Sequence, residues 1–250
     1  MDPDLPQTMG YDAAGIVDEV GAGVMDVAEG DRVFGLGGDG AAQAERTVLS
    51  AWAPIPGALD FAGTAALPSA AETAARALDQ LGAGNGSTVL INGASGSVGA
   101  AAVQLSVARG ASVIGTASPA THDFLRTMGA DPVAYGDGMT ERVRALLPEG
   151  VDRALDVAGR GALPELIELA GDAAHVITIA DFAGAQQYGV RFSRGDSGRA
   201  LYALALVADL VEAGKFSLPV GQTFLLADVA EAHRVGEAGR TRGKLVLLVD

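Results

Sequence analysis

Three glycines spaced by three, Gly93, Gly96 and Gly99, follow the aliphatic run Val89-Leu90-Ile91-Asn92 and open an alanine-rich stretch that ends at Arg109-Gly110. A turn of this composition can hold an anion. Glycine lets the backbone turn tightly, lets it approach a bulky phosphate, and lets the next helix pack closely on the preceding strand. The N–H groups at the start of that helix, from about Ser97 onward, have no partner within it, and the helix dipole favours negative charge there. The chemistry implied is recognition of a dinucleotide pyrophosphate. The spacing is GxxGxxG and not the commoner GxGxxG, and the chain carries 35 glycines in 250 residues, so a glycine-rich turn without a ligand is the competing reading. Their place between a strand and a helix favours the nucleotide.

The surrounding sequence supplies the elements that must position this turn. Val89 to Asn92 suits a strand buried on both faces, Ser97 to Ala108 a helix closed by Gly110 in the C′ position, and Ser112 to Gly115 a second strand. Upstream, Leu67 to Leu81 reads as a helix with Pro68 in its first turn and Gly82 just beyond its end, and Asp60 is an N-cap for the helical stretch before it. Downstream, helix and strand alternate: Thr121 to Met128, Pro132 to Tyr135, Met139 to Leu147, Val151 to Val157, Leu163 to Ala170, His175 to Ala180. This rhythm predicts a Rossmann-type doubly wound parallel sheet with helices on both faces, in the α/β class. Val190 to Phe192 adds a strand and Gly198 to Glu212 a long helix.

Residues 14–49 have a different pattern. Short strands at Gly15 to Val17, Gly30 to Phe34 and Glu45 to Leu49, punctuated by glycine and closed by Pro54 and Pro56, predict a small β-barrel or sandwich. The tail, with strand Thr223 to Leu225, helix Leu226 to Glu237 and strand Leu245 to Val249, is expected to return to this part. The expected division is therefore 61–217 for the dinucleotide-binding domain and 1–60 with 218–250 for the other.

Composition excludes several classes. A net charge of −14 argues against nucleic acid or an anionic membrane as partner, because both call for a basic footprint. With no cysteine there is no disulfide, catalytic thiol or four-cysteine zinc site, and His122, His175 and His233 are too scattered for a metal site. The acidic opening Met1-Asp2-Pro3-Asp4 is unlike a signal peptide, and no apolar run is long enough to span a bilayer, which predicts a cytoplasmic protein.

Several motifs in one order resemble the medium-chain dehydrogenase/reductase superfamily in its zinc-independent quinone oxidoreductase branch. They are Gly10-Tyr11-Asp12-Ala13-Ala14-Gly15, Gly30-Asp31-Arg32-Val33-Phe34, Leu67-Pro68 with Thr73, the glycine turn, Gly115-Thr116-Ala117-Ser118, Phe124-Leu125-Arg126 with Gly129-Ala130-Asp131, Asp156-Val157-Ala158-Gly159 and Arg242-Gly243-Lys244. The resemblance implies a GroES-like barrel beside the dinucleotide domain. Zinc-dependent relatives place a ligand histidine where this chain has Tyr11. In the family the glycine-tyrosine-aspartate segment follows several barrel strands, whereas here it starts at residue 10. The GroES-like barrel is therefore expected to be partial.

The second strand ends Thr116-Ala117-Ser118, with no acid before Asp123 to bind a ribose 2′-hydroxyl, which favours NADPH over NADH. Ser118, Thr121 and His122 are candidates to surround the 2′-phosphate, with Arg126 supplying charge or simply facing solvent. The resemblance adds Tyr135 against the adenine or its phosphate, although a strand-end aromatic also serves packing. It also adds Thr73 on the nicotinamide side, at a helix position equally suited to the core. Ser95, Gly96, Ser97 and Val98 are the candidate pyrophosphate residues. Val157, Ala158, Thr178, Ile179 and Phe192, at or near later strand ends, are assigned to the nicotinamide half. Lys244 aligns with a family cation near the cofactor, or is simply exposed. Asp156 reads as a structural hydrogen-bonder.

The function expected is NADPH-dependent, zinc-independent hydride transfer to a quinone or an α,β-unsaturated carbonyl, with no catalytic acid assigned. Sheet edges at His175 to Ala180 and Val190 to Phe192 predict a homodimer. A short-chain dehydrogenase requires Tyr-x-x-x-Lys, and none of the four tyrosines has lysine four residues on. A methyltransferase usually carries the acid that is absent after the second strand. The remaining rival is an NADPH-binding protein that is weakly active or does not catalyse, a sensor or partner subunit, supported by the shortened barrel.

Overall fold

The computed structural model describes residues 7–38, 40–195, 198–239 and 241–249, so the acidic opening at Met1 to Asp4 lies outside the described residues. The chain forms two compact units, one from Thr73 to Ala200 and the other from the residues up to Glu72 together with those from Leu201 onward.

The Thr73–Ala200 unit holds strands β4 (Thr88–Asn92), β5 (Ser112–Ala117), β6 (Ala130–Ala134), β7 (Arg153–Asp156), β8 (Val176–Thr178) and β9 (Arg191–Phe192). They form one parallel sheet in the order β6-β5-β4-β7-β8-β9. Counted from β4 this is the order 3-2-1-4-5-6 of two mononucleotide-binding halves, β4 to β6 and β7 to β9. Helices α3 (Ser97–Ala108), α4 (His122–Thr127), α5 (Met139–Leu146), α6 (Leu163–Ala170) and α7 (Phe182–Tyr188) connect the strands. The central strands are apolar on both faces because helices cover both: Val89, Leu90 and Ile91 of β4 are fully buried. On one side Leu90 and Ile114 meet Met139 and Val143 of α5 and Leu163, Leu166 and Leu169 of α6.

Helix α3 has the expected bounds, and Gly110 takes the left-handed φ of +81° that the C′ position calls for. Three elements differ from expectation. The strand expected over His175 to Ala180 is confined to Val176–Thr178, because a 3-10 turn precedes it and the chain then bends into α7. Asp181 starts α7, its carboxylate accepting the Gly184 N–H at 2.7 Å, a helix the apolar pattern does not announce. The helix expected from Thr121 begins with a 3-10 turn at Pro119–Thr121.

In the other unit β1 (Asp12–Ile16), β2 (Arg32–Gly37) and β3 (Leu49–Pro54) form an antiparallel sheet, and β10 (Val220–Leu225) and β11 (Lys244–Leu248) a parallel pair. The strand expected over Glu45 to Leu49 lies further on, and Pro54 is its last residue, not a breaker. Proline is tolerated there because β3 is an edge strand. Helix α1 (Phe61–Ala65) is capped by Asp60, which accepts the Gly63 N–H at 2.7 Å, and packs on β1 and the β10–β11 pair. Helix α2 (Pro68–Leu81) carries the chain from one unit into the other. Helix α8 (Ala203–Glu212) starts five residues later than expected, and α9 (Val229–Glu237) follows a 3-10 turn.

Candidate functional site

The site is built at the carboxyl ends of the parallel strands, where ligands bind in open α/β sheets. The glycine turn leaves β4 with Gly93 at a φ of +85°. Its N–H donates to Thr116 Oγ1 at 3.1 Å and the Ala94 N–H donates to Thr116 O at 3.0 Å, so the turn is pinned to the end of β5. Gly96 is the N-cap of α3, and no side chain caps the helix. The first N–H groups of α3 therefore have neither an intrahelical partner nor a side-chain cap.

The three glycines have separable reasons. A Cβ on Gly93 would lie 2.8 Å from Ala158 Cβ, and one on Gly99 would lie 2.3 Å from Gly93 O and 2.8 Å from Ala94 Cα, so the fold itself excludes side chains at both. Gly96 is different. It is exposed, has φ −76° and ψ 168°, which any residue adopts, and a Cβ there would meet only Gly93 O at an ordinary 3.6 Å. Among the described residues nothing demands glycine at 96, and the missing side chain leaves room for an external group to approach the helix terminus. The turn thus fits a pyrophosphate.

Beyond the turn, one transverse row crosses the sheet in register: Val133, Thr116, Asn92, Asp156, Thr178, Phe192. Its four central members are buried, polar and hydrogen-bonded in series. Thr116 Oγ1 donates to Asn92 Oδ1 at 2.6 Å, and Asn92 Nδ2 donates to Asp156 Oδ1 at 2.9 Å. Thr178 Oγ1 donates to Asp156 Oδ2 at 2.8 Å. Asp156 Oδ1 also accepts the N–H groups of Ala158 at 3.1 Å and Gly159 at 2.9 Å, and Thr178 Oγ1 accepts those of Ala180 and Asp181. Val157, Ala158 and Ile179 sit on the turns so held.

At the other side, Ser118 and Tyr135 each follow the last register pair of β5 and β6, Ala117 with Ala134, which brings them to neighbouring strand ends. Thr121 Oγ1 donates to Ser118 O at 2.9 Å, and His122 Nε2 lies 3.4 Å from Ala117 O. Tyr135 is 55% exposed. Arg126 does not offer a spare charge, because its guanidinium pairs with Asp123 at 2.6 Å on the open surface. A cation that sequence reasoning did not single out also lies at these strand ends. Arg142 of α5 donates to Ala134 O at 2.9 Å, Gly136 O at 3.0 Å and Asp137 O at 2.9 Å, and makes no ion pair among the described residues. Its only signal in the sequence is its place one turn into a helix that follows the glycine-rich turn Gly136-Asp137-Gly138.

Thr73 opens this unit on α2, and its hydroxyl lies 3.4 Å from Arg76 Nη2. Buried Arg76 donates to Ser193 Oγ at 2.5 Å, just past Phe192, which stacks edge to face on Phe182 at 5.3 Å. Lys244 belongs to the other unit, where it pairs with Asp12 at 2.8 Å while Asp12 accepts the Ser69 N–H at 2.8 Å, so its charge is matched. A cleft of about 430 Å³ lined by Gln80, Ala174, Ile177, Gly189 and Arg191 lies toward the amino ends of β8 and β9. No helix among the described residues is long and apolar enough to cross a membrane.

Among the described residues the donor set does not fit zinc. Each histidine is engaged separately, His122 at Ala117 O, His175 Nδ1 at Ala170 O and His233 Nε2 at Gln43 Oε1. No group of three His, Cys, Asp or Glu suited to a metal occurs among the described residues.

Residues 1–74 match the alcohol dehydrogenase GroES-like domain family and residues 128–247 the zinc-binding dehydrogenase family. The chain is 32% identical to 2-methylene-furan-3-one reductase of Solanum lycopersicum, over 98% of this chain and 64% of that protein. It is 30% identical to a human mitochondrial NAD(P)H oxidoreductase, over 98% of this chain and 71% of that protein. Among solved structures it resembles the quinone oxidoreductase from Coxiella burnetii, with TM-score 0.80 and 29% identity over 99% of this chain and 81% of that one. The chain spans under two thirds of several curated relatives it matches, 64% of the tomato reductase and 12% of a Streptomyces orinoci polyketide synthase system protein. A sheet in the order of two mononucleotide-binding halves, a glycine turn that fits a pyrophosphate, and matches running nearly end to end make the chain a member of the medium-chain dehydrogenase/reductase superfamily.

Proposed function

We propose that the Thr73–Ala200 unit binds NADPH and that the protein reduces a quinone or an α,β-unsaturated carbonyl without zinc. The observation that carries the nucleotide is Gly96, whose missing side chain the chain's own packing does not require. The N–H groups of Ser97 and Val98, with the turn at Ser95, would hold the pyrophosphate. Ser118, Thr121, His122 and Tyr135 would take the 2′-phosphorylated adenosine, and Val157, Ala158, Ile179, Phe192 and Thr73 the nicotinamide half. Tomato and bacterial relatives named for enone and quinone reduction support the substrate class. When bound, the cofactor supplies a hydride from nicotinamide C4 to the electron-poor carbon, and a proton from solvent completes the two-electron reduction. The chain's part is to orient the cofactor and the substrate. Absence of cysteine and the separate engagement of all three histidines support the zinc-independent reading. NADPH oxidation with simple quinones, measured beside NADPH binding, tests the proposal. Binding without turnover supports the sensor or partner-subunit alternative, and no binding rejects both.

NADPH preference rests on the acid-free end of β5 and on Arg142. The Arg142 guanidinium braces the turn that carries Tyr135 and places a positive charge at the adjoining strand end. Replacing Arg142 by alanine is expected to weaken NADPH binding about 10-fold and NADH binding by less than about 3-fold. Fluorescence titration with both nucleotides measures the two ratios.

Among the described residues strand β9 pairs with β8 alone and ends the sheet. Such an edge leaves N–H and C=O groups available to a second copy of the chain, and we infer a homodimer through it. Light scattering at micromolar concentration should return twice the chain mass, and Arg191→Pro should shift it toward the single-chain mass.

A further inference from the structure

The buried row at the strand ends is more than structural filling, and the case for this rests on the proposed nucleotide site. Polar groups are costly to bury, and this sheet places four in one register line, Thr116, Asn92, Asp156 and Thr178, each 5% exposed or less. Asp156 is a fully buried carboxylate satisfied by four neutral donors, Asn92 Nδ2, Thr178 Oγ1 and the N–H groups of Ala158 and Gly159. An apolar row would serve sheet stability at least as well.

What the polar row adds is control over three turns. Thr116 holds Gly93 of the glycine turn. Asp156 holds Ala158 and Gly159, and its carbonyl accepts the Ile179 N–H at 3.0 Å. Thr178 holds Ala180 and Asp181, and its carbonyl accepts the Ser193 N–H at 2.9 Å. The first turn belongs to the half of the sheet formed by β4 to β6, and the other two to the half formed by β7 to β9.

We propose that the Thr116-Asn92-Asp156-Thr178 row is a positioning device that sets the phosphate-side and nicotinamide-side turns against one another, with Thr116 governing the first and Thr178 the second. The two threonines are positioning residues. Loss of the Thr178 hydroxyl frees only the β7–β8 turns. Loss of the Thr116 hydroxyl removes one of the two bonds that pin the glycine turn to β5, the turn on which every dinucleotide fragment containing the pyrophosphate depends.

The test is calorimetric titration of the full chain and its variants with two probes, NADPH and 2′-phospho-ADP-ribose, which lacks nicotinamide. Thr178→Val is expected to weaken NADPH about 10-fold and to change fragment binding less than about 2-fold. Thr116→Val is expected to weaken both probes by a similar factor of about 10, and Thr178→Ser, which keeps the hydroxyl, should restore NADPH to within about 2-fold. A purely structural role would lower both affinities together, so the ratio of the two is the deciding readout. If Thr178→Val does not fold, the smaller Thr178→Ala takes its place. Equal loss of both probes at Thr178, or no loss of either, overturns the row's proposed role while leaving the nucleotide site standing. Failure of the unchanged protein to bind either probe overturns the nucleotide site, and the row's role with it.

Discussion

Replacing Gly99 by alanine is expected to destabilise the Thr73–Ala200 unit strongly, whereas the same change three residues earlier, at Gly96, should cost little stability and weaken nucleotide binding. At Gly99 the added methyl group meets backbone, Gly93 O at 2.3 Å and Ala94 Cα at 2.8 Å, and neither can swing aside like a flexible side chain. Relief requires α3 to lift from β4, which separates fully buried Ala101, Val103 and Leu105 from their neighbours. Overpacking of this severity costs about 3 kcal/mol or more. At Gly96 the methyl group makes one ordinary contact, so the cost is limited to the poorer N-cap, about 1 kcal/mol. The lost close approach at the helix terminus should weaken NADPH about 100-fold, equivalent to roughly 2.7 kcal/mol. Urea denaturation and NADPH titration of both variants separate the two effects. A Gly96→Ala protein that binds NADPH as tightly as the unchanged chain would remove the principal support for the nucleotide site.

Ser118→Asp should reverse cofactor preference. Ser118 is half-buried at the end of β5, and Thr121 fixes the backbone beside it through an N–H bond to Ser118 O at 2.9 Å. A carboxylate placed there lies where a ribose hydroxyl can donate to it and where a 2′-phosphate is repelled. At roughly 5 Å and an effective dielectric near 20 a pair of unit charges interacts by about 3 kcal/mol, and solvent screening at this part-exposed position reduces that to about 1.5–2 kcal/mol. NADPH should therefore weaken roughly 10- to 30-fold while NADH holds or tightens, with the fold unchanged. Equal or tighter binding of NADH by the unmodified protein would reject the NADPH assignment. An unchanged NADPH affinity in the variant would place the 2′-phosphate elsewhere.

Features settled by neighbours in sequence were legible in advance. The limits of α3, the left-handed Gly110 that ends it, the Asp60 cap of α1 and the span Leu163–Ala170 of α6 each depend on residues within about four positions, and short-range capping and φ preferences decide them. The alternation of apolar runs with helical stretches announced the parallel sheet for the same reason, since a strand covered on both faces reads as continuous Val, Leu and Ile. What tertiary structure alone decided are pairings across the sheet. Asn92 and Asp156 stand 64 residues apart, and Arg76 and Ser193 stand 117 apart. Periodicity places Asp156 near the end of a strand but does not say which strand lies beside it. Only the order β5-β4-β7-β8, with its register, aligns Thr116, Asn92, Asp156 and Thr178 in one row. The shortened β8 follows from that row, because the Thr178 hydroxyl takes the N–H groups of Ala180 and Asp181 and turns the chain where its composition alone continues the strand. The pairing of Lys244 with Asp12 and the seating of Arg142 on the Ala134 carbonyl are likewise products of proximity in space, since a side chain's charge is written in the sequence but its partner is not.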